Sequence, residues 1–361
     1  MNRPLFLILI SLVLLLSAAS AQDTTPPQLQ PRPADPSSPA PVNPAKQIFL
    51  GVQVTDKYGA QVRGLQKQDF TLLDDKQPHD ILSFQAVDES AAAGDPPVEV
   101  VLVVDAINAS FNAVANERDQ VKKFLLQDGG KLPVPMSLMV FSDKGMEIQK
   151  DSTRDGNALA TEYEGYETGL RISNRSQGFY GAEERFDKSL KTIHSLALYE
   201  QTRPGRKLMI WISPGWPLLS GPHVELSKKQ EDQFFNLIVT ASTELRQARV
   251  TLYAVDPLGL SDFTRARYYE QFLKGVTSPS RTLPGNLGLE VLTVQTGGLV
   301  LNTTNDLTAA IANCAADATS FYVLSFTPNR ADQANEYHSL KITVDKPALT
   351  ARTRTGYYNQ P

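Results

Sequence analysis

Apolar and polar positions follow two different patterns along this chain. Through its middle the apolar residues come in unbroken runs: VEVVLVVD (98 to 105), MSLMVFS (136 to 142), KLMIWIS (207 to 213) and VTLYAVD (250 to 256). Between these runs the spacing turns helical, with Phe186, Leu190, Ile193 and Ala197 three to four apart and Phe235, Val239 and Leu245 less regularly so. Continuous apolar strands alternating with amphipathic helices predict a mostly parallel sheet covered on both faces, a doubly wound, Rossmann-like α/β domain over 97–318.

The flanks alternate instead. Leu50, Val52 and Val54, then Phe70 and Leu72, then DILSFQAVD read as short strands separated by turns such as DKYGAQ. Near the other end Leu340, Ile342 and Val344 alternate, and ALTARTRTGYY comes after them as a further strand. Neither set is large enough to bury a face alone. The expectation is that both chain ends pair into one small β-sandwich, 46–90 with 319–361, and that the α/β domain is inserted in it.

Residues 1–21, MNRPLFLILISLVLLLSAASA, carry one positive charge, a twelve-residue apolar stretch and small residues at Ala19 and Ala21. That is the pattern of a cleaved signal peptide, since twelve residues span only about 18 Å as a helix. Residues 22–45 hold eight prolines and no aromatic residue, an extended linker. The formal charge of −4 comes from 35 basic and 39 acidic residues without a block of either sign, which argues against nucleic acid and anionic membrane as partners. One cysteine, Cys314, excludes an intrachain disulfide and reads as a buried small hydrophobe in IANCAADA. The reading is a secreted or periplasmic bacterial envelope protein with no membrane insertion after cleavage.

In doubly wound sheets ligands bind at the carboxyl ends of the strands, which directs attention to Asp105 and the loop after it, Ser142 and Asp143, Ser213 to Pro217, and Asp256 to Pro257. The strand ending in Asp105, the run KLMIWIS, then LRQARVTLYAVD and LTVQTGGLVLNTTNDLTAAI resemble the von Willebrand factor type A domains. With GLQKQDF, DAINASF, PGRKLMIWISPGWP and a closing TGYY, the chain is similar to the VWFA-related proteins of acidobacteria over about 46 to 358. The resemblance implies a metal-ion-dependent adhesion site at the strand ends, built from hard oxygen donors for Mg²⁺. Here it looks degenerate: Ile107 and Ala109 stand at two ligand positions, and Pro214 stands where relatives carry an aspartate. Asn108 and Ser110 could turn inward beside Asp105, and Thr168, Ser173 and Ser176 are available on the second loop, none distinguished by spacing. No metal or other cofactor is expected, Mg²⁺ at Asp105, Asn108 and Ser110 being the weaker alternative to Asp105 as a structural carboxylate that caps the following helix or accepts loop amide hydrogens.

Other chemistry is sparse. His79, His194, His223 and His338 show no ligand spacing, and no hydrolase, P-loop or dinucleotide motif is present. Trp216, between Pro214, Gly215 and Pro217, either stands on the rim as an aromatic anchor or folds back over the core beside Trp211. Arg265, Arg267, Tyr268 and Tyr269 suit either a contact surface or a solvated helix face. The expected function is a non-enzymatic, adhesion-like module that binds a protein ligand through Asp105, Asn108, Ser110, Ser213, Trp216 and Asp256. The alternative is a structural envelope scaffold that meets partners through its β-sandwich.

Overall fold

A computed structural model describes residues 47–88, 98–109, 111–142, 145–149, 151–167, 178–217, 219, 226–259 and 267–361; the signal-peptide and linker readings lie outside them. The first strand, β1 (Ile48–Thr55), buries Leu50, Val52 and Val54 on one face, as its alternation requires. It is succeeded by β2 (Phe70–Asp74), β3 (Gln77–His79) and β4 (Ser83–Asp88).

The central part then runs β5 (Val98–Asp105), α1 (Phe111–Leu125), β6 (Lys131–Ser142), β7 (Gly145–Ile148), β8 (Thr153–Asp155), α2 (Gly156–Glu167), α3 (Phe179–Gln201), β9 (Arg206–Ile212), α4 (Lys228–Gln247), β10 (Val250–Val255), α5 (Leu289–Thr296), β11 (Val300–Leu301) and α6 (Leu307–Ala316). Its sheet has the order β11-β10-β9-β5-β6-β7, with β8 also on β6. The pairs from β11 to β6 are parallel, whereas β7 and β8 join β6 antiparallel. Each apolar run is buried along nearly its whole length because helices cover both faces. One core packs α1, α2 and α6 on one side, with Val121, Leu125, Leu159 and Ile311. The other packs α3, α4 and α5, with Ile193, Ala197, Leu245 and Leu292. The hydrophobic pattern does not predict the antiparallel edge strands β7 and β8, which are short and half exposed.

The chain closes with β12 (Ser320–Phe326), β13 (Glu336–Val344), β14 (Thr350–Arg352) and β15 (Gly356–Asn359). These pair with the first four strands in two antiparallel sheets, β14-β1-β12-β4 and β15-β13-β2-β3. Ile48, Leu50, Val52 and Leu72 share one core with Tyr322, Leu324, Leu340, Ile342 and Tyr357. The sandwich core is therefore made by both ends of the described chain.

Candidate functional site

The central sheet reverses its order between β5 and β9, since the chain winds outward to β6 and β7 before returning to β9, β10 and β11. A crevice opens outside the carboxyl ends at such a point. Asp105 ends β5 at this point and is fully buried. Its Oδ1 accepts the backbone N–H groups of Ile107 at 3.1 Å and Asn108 at 3.0 Å. Its Oδ2 accepts Asn108 Nδ2 at 2.8 Å, Trp211 Nε1 at 3.0 Å and Ser213 Oγ at 3.0 Å. Burial pushes the Asp105 carboxyl above its ordinary range, while the donors of Asn108, Trp211 and Ser213 pull it back. Asn108 extends the network, donating also to Ser189 Oγ at 2.9 Å, and Ser189 in turn donates to the Arg185 carbonyl on α3 at 2.8 Å. One carboxylate thus ties together the loop after β5, the end of β9 and helix α3.

The turn after β9 is closed from within. Ser213 is buried and accepts the Gly215 N–H at 3.2 Å. Gly215 has φ of +92° and passes so close to the Glu290 carboxylate on α5 that a side chain there would collide with it. Trp216 is 1% exposed and packs edge-on against Trp211, ring centroids 5.5 Å apart. It belongs to the core, which corrects the picture of an exposed anchor at that position. Asp105 and Ser213 likewise offer no surface to a partner. Asp256 is half-buried and accepts the Leu258 N–H at 2.8 Å, and Leu258 itself is 38% exposed. Ser110 and Arg265 lie outside the described residues, as do Thr168, Ser173 and Ser176 of the second loop.

Around Asp105 the described residues do not fit a divalent cation. The Asp105 oxygens together already accept five hydrogen bonds, Asn108 directs its NH₂ rather than its carbonyl at the carboxylate, and the turn after β9 holds Pro214 directly after Ser213. Mg²⁺ would have to displace these donors while keeping an oxygen shell that the described residues do not supply. A further carboxylate does approach: Glu117 on α1 is fully buried with no hydrogen-bond partner on either oxygen. Burial, then the charges of Asp105 and Asp256, push its carboxyl well above the usual range. Its signal was present in the sequence, because 117, 121, 124 and 125 fall on the buried face of α1. Trp211 and Ser189 carried no such signal, being joined to Asp105 only by the fold.

Two histidines have acidic neighbours, and one of them, His338, has two. His338 Nδ1 lies 3.4 Å from Asp74 Oδ1 and 3.1 Å from Asp75 Oδ2. Tyr357 donates its hydroxyl to Asp74 Oδ2 at 2.8 Å, Ser339 holds Asp75 Oδ1 through its N–H and hydroxyl, and the His338 ring stacks on Tyr357. Asp75 sits in the left-handed region at φ +48°, so these contacts fasten the tight β2–β3 turn onto β13 and β15. His194 pairs with Glu244 at 2.8 Å across α3 and α4, and His223 lies outside the described residues.

No family model matches the chain, and no curated protein matches it. Solved structures do align with it. The VWA domain of SpRpn10 is 12% identical with a TM-score of 0.26, over 53% of this chain and 93% of that one. The PilB minor pilin of Streptococcus sanguinis is 11% identical with a TM-score of 0.34, over 63% and 62%. The pilus adhesin SpaC of Lactobacillus rhamnosus GG, in its open conformation, is 10% identical with a TM-score of 0.36, over 88% of this chain and 48% of the adhesin. Among the described residues, no helix is long and apolar enough to cross a membrane.

Proposed function

We propose that this chain is a non-enzymatic, adhesion-like protein-binding module of the von Willebrand type A kind, exported to the periplasm or the cell exterior and working without a metal. The observation that supports this reading is the closed network around Asp105. A carboxylate saturated by five donors, beside a buried serine and with no histidine at the crevice among the described residues, forms no nucleophile and base pair. The network fixes the bases of the strand-end loops, and pre-organised loops cost less to order when a partner docks. The contact residues are then the accessible ones on the rim, Asp256 and Leu258, while Asp105, Asn108, Ser213 and Trp216 support them from below.

A second reading, a scaffold that meets its partners through the sandwich, is favoured by Tyr58, 82% exposed in the turn after β1, and Leu82, 42% exposed before β4. Capture of envelope proteins by purified chain separates the two. Asp256→Ala with Leu258→Ala should lower capture at least tenfold with little change in melting temperature, while Tyr58→Ala with Leu82→Ser should leave it intact. The reverse result hands the function to the sandwich. Asp105→Ala is unsuitable for this test, since it strands the Trp211 and Ser213 donors in the interior and costs about 3 kcal/mol of stability or more.

A further inference from the structure

At the opposite end of the central sheet, where β9 and β10 begin, a cavity of about 340 Å³ lies against strands β1, β4 and β12 of the sandwich. Four arginines line it: Arg206 at the start of β9, Arg246 at the end of α4, Arg249 in the turn before β10, and Arg354 just before β15. Arg206 and Arg354 are each only 6% exposed. Arg206 donates to the Asp317 carbonyl at 3.1 Å and to Thr251 Oγ1 at 3.4 Å, with its guanidinium 4.5 Å from the centre of the Phe321 ring, but its buried Nε has no acceptor. Gly51 leaves that nitrogen room, since a Cβ there would come within 3.0 Å of it. Arg246 Nε is buried and unpartnered as well. Arg354 has one long bond, 3.5 Å to the Gly356 carbonyl. Arg249 lies over the Phe49 ring at 4.3 Å.

Among the described residues none of these four arginines has an ion pair. Asp317, whose charge acts on Arg206, is itself paired with Arg352 and accepts the Tyr253 hydroxyl at 2.7 Å. Burial and the neighbouring charge of Arg246 press the Arg354 guanidinium down to about 9. Like charges taken out of water without a counter-charge are strongly unfavourable, and an interior keeps them only where something compensates. Guanidinium forks match the paired oxygens of phosphate and carboxylate groups better than any other side chain does.

We propose that this cavity is a binding site for a small oxyanion, a phosphate or carboxylate group of a soluble ligand. Arg206, Arg246 and Arg354 grip the anionic group, and Arg249 closes the mouth. The volume leaves space beside a bare phosphate for a small organic part, flanked by Phe49 and Phe321. Because its walls come from both the sandwich and the α/β sheet, an anion there cross-links the two halves. The proposal stands apart from the protein-binding reading, whose loops lie at the other end of the strands.

The test uses the full chain, dialysed free of oxyanions, with inorganic phosphate and citrate added at constant ionic strength. A ligand that binds only the native state raises the melting temperature saturably. One of the two probes should do so at millimolar concentration, and calorimetry should give one site per chain; phosphate acting alone identifies a phosphate group, citrate alone a carboxylate. Arg354→Met should melt higher than wild type without anion, because a buried uncompensated charge is gone, and should lose the anion-dependent rise. Arg249→Gln, an exposed position that leaves the fold intact, should weaken affinity at least threefold. A rise that is linear in probe and identical in wild type and Arg249→Gln is the general effect of an excluded salt and overturns the proposal. So does the absence of any rise with both probes.

Discussion

Glu117 carries two unpartnered carboxylate oxygens into the interior, and this sets a testable pH dependence. Its folded-state pKa is raised, first by burial and then by Asp105 and Asp256, while the unfolded chain titrates near the ordinary value of about 4.3. For a raised carboxyl the folded state holds the proton more tightly. The stability it contributes is present below pH of about 4.3 and is lost as pH rises toward the folded pKa. Glu200 acts with the same sign, pushed up to about 7 by burial and by Glu99. Glu117→Gln should therefore melt like wild type at pH 4 and above it at pH 8, the gap widening between. Melting curves of the two proteins that stay superimposed across that range would show Glu117 to be paired and ionised.

At the level of elements, the sandwich depends on strands that are far apart in sequence. Phe70–Asp74 pairs with Leu340–Val344, and Ile48–Val52 with Tyr322–Phe326. Deleting 335–361 removes β13, β14 and β15 and leaves β2 without its main partner, so amide exchange should accelerate across 48–55 and 70–74. Unchanged protection there would mean that the first strands hold together by themselves. The architecture was legible because β5, β9 and β10 are buried on both faces and so must be apolar throughout, while β1 and β13 must alternate. The site was legible only in part. Asp105 stands out at a strand end, but its state depends on Trp211 and Ser189, which periodicity assigns to a strand and a helix and nothing more. Trp216 could be drawn inward or outward from its flanking prolines, and only the packing against Trp211 decides it. The arginine cavity was invisible because Arg206, Arg246, Arg249 and Arg354 meet across a strand, a helix and two connecting turns.

For the molecule as a whole, the two halves are joined by more than a covalent connection. Tyr358 of β15 packs with Phe235 of α4, Val276 and Leu287, and donates its hydroxyl to the Val276 carbonyl at 2.9 Å. Arg352 of β14 pairs with Asp317 at the end of α6. Cores in contact through buried aromatic side chains unfold together, so calorimetry should show one transition with equal calorimetric and van't Hoff enthalpies. Two separated transitions would show the halves to be energetically independent.

The pairing of the first described strand with a late one also has a consequence for biogenesis. Ile48 faces Phe326, so β1 leaves the ribosome long before its partner is made. At about 5–20 residues per second that interval is on the order of tens of seconds. Throughout it an apolar strand has an open edge, the template on which chains stick to one another. Folding from the first end onward is closed to this chain: the α/β part can form as it emerges, but the sandwich waits for the last residues. Losing the strands after 319 therefore harms the first strands as much as the last.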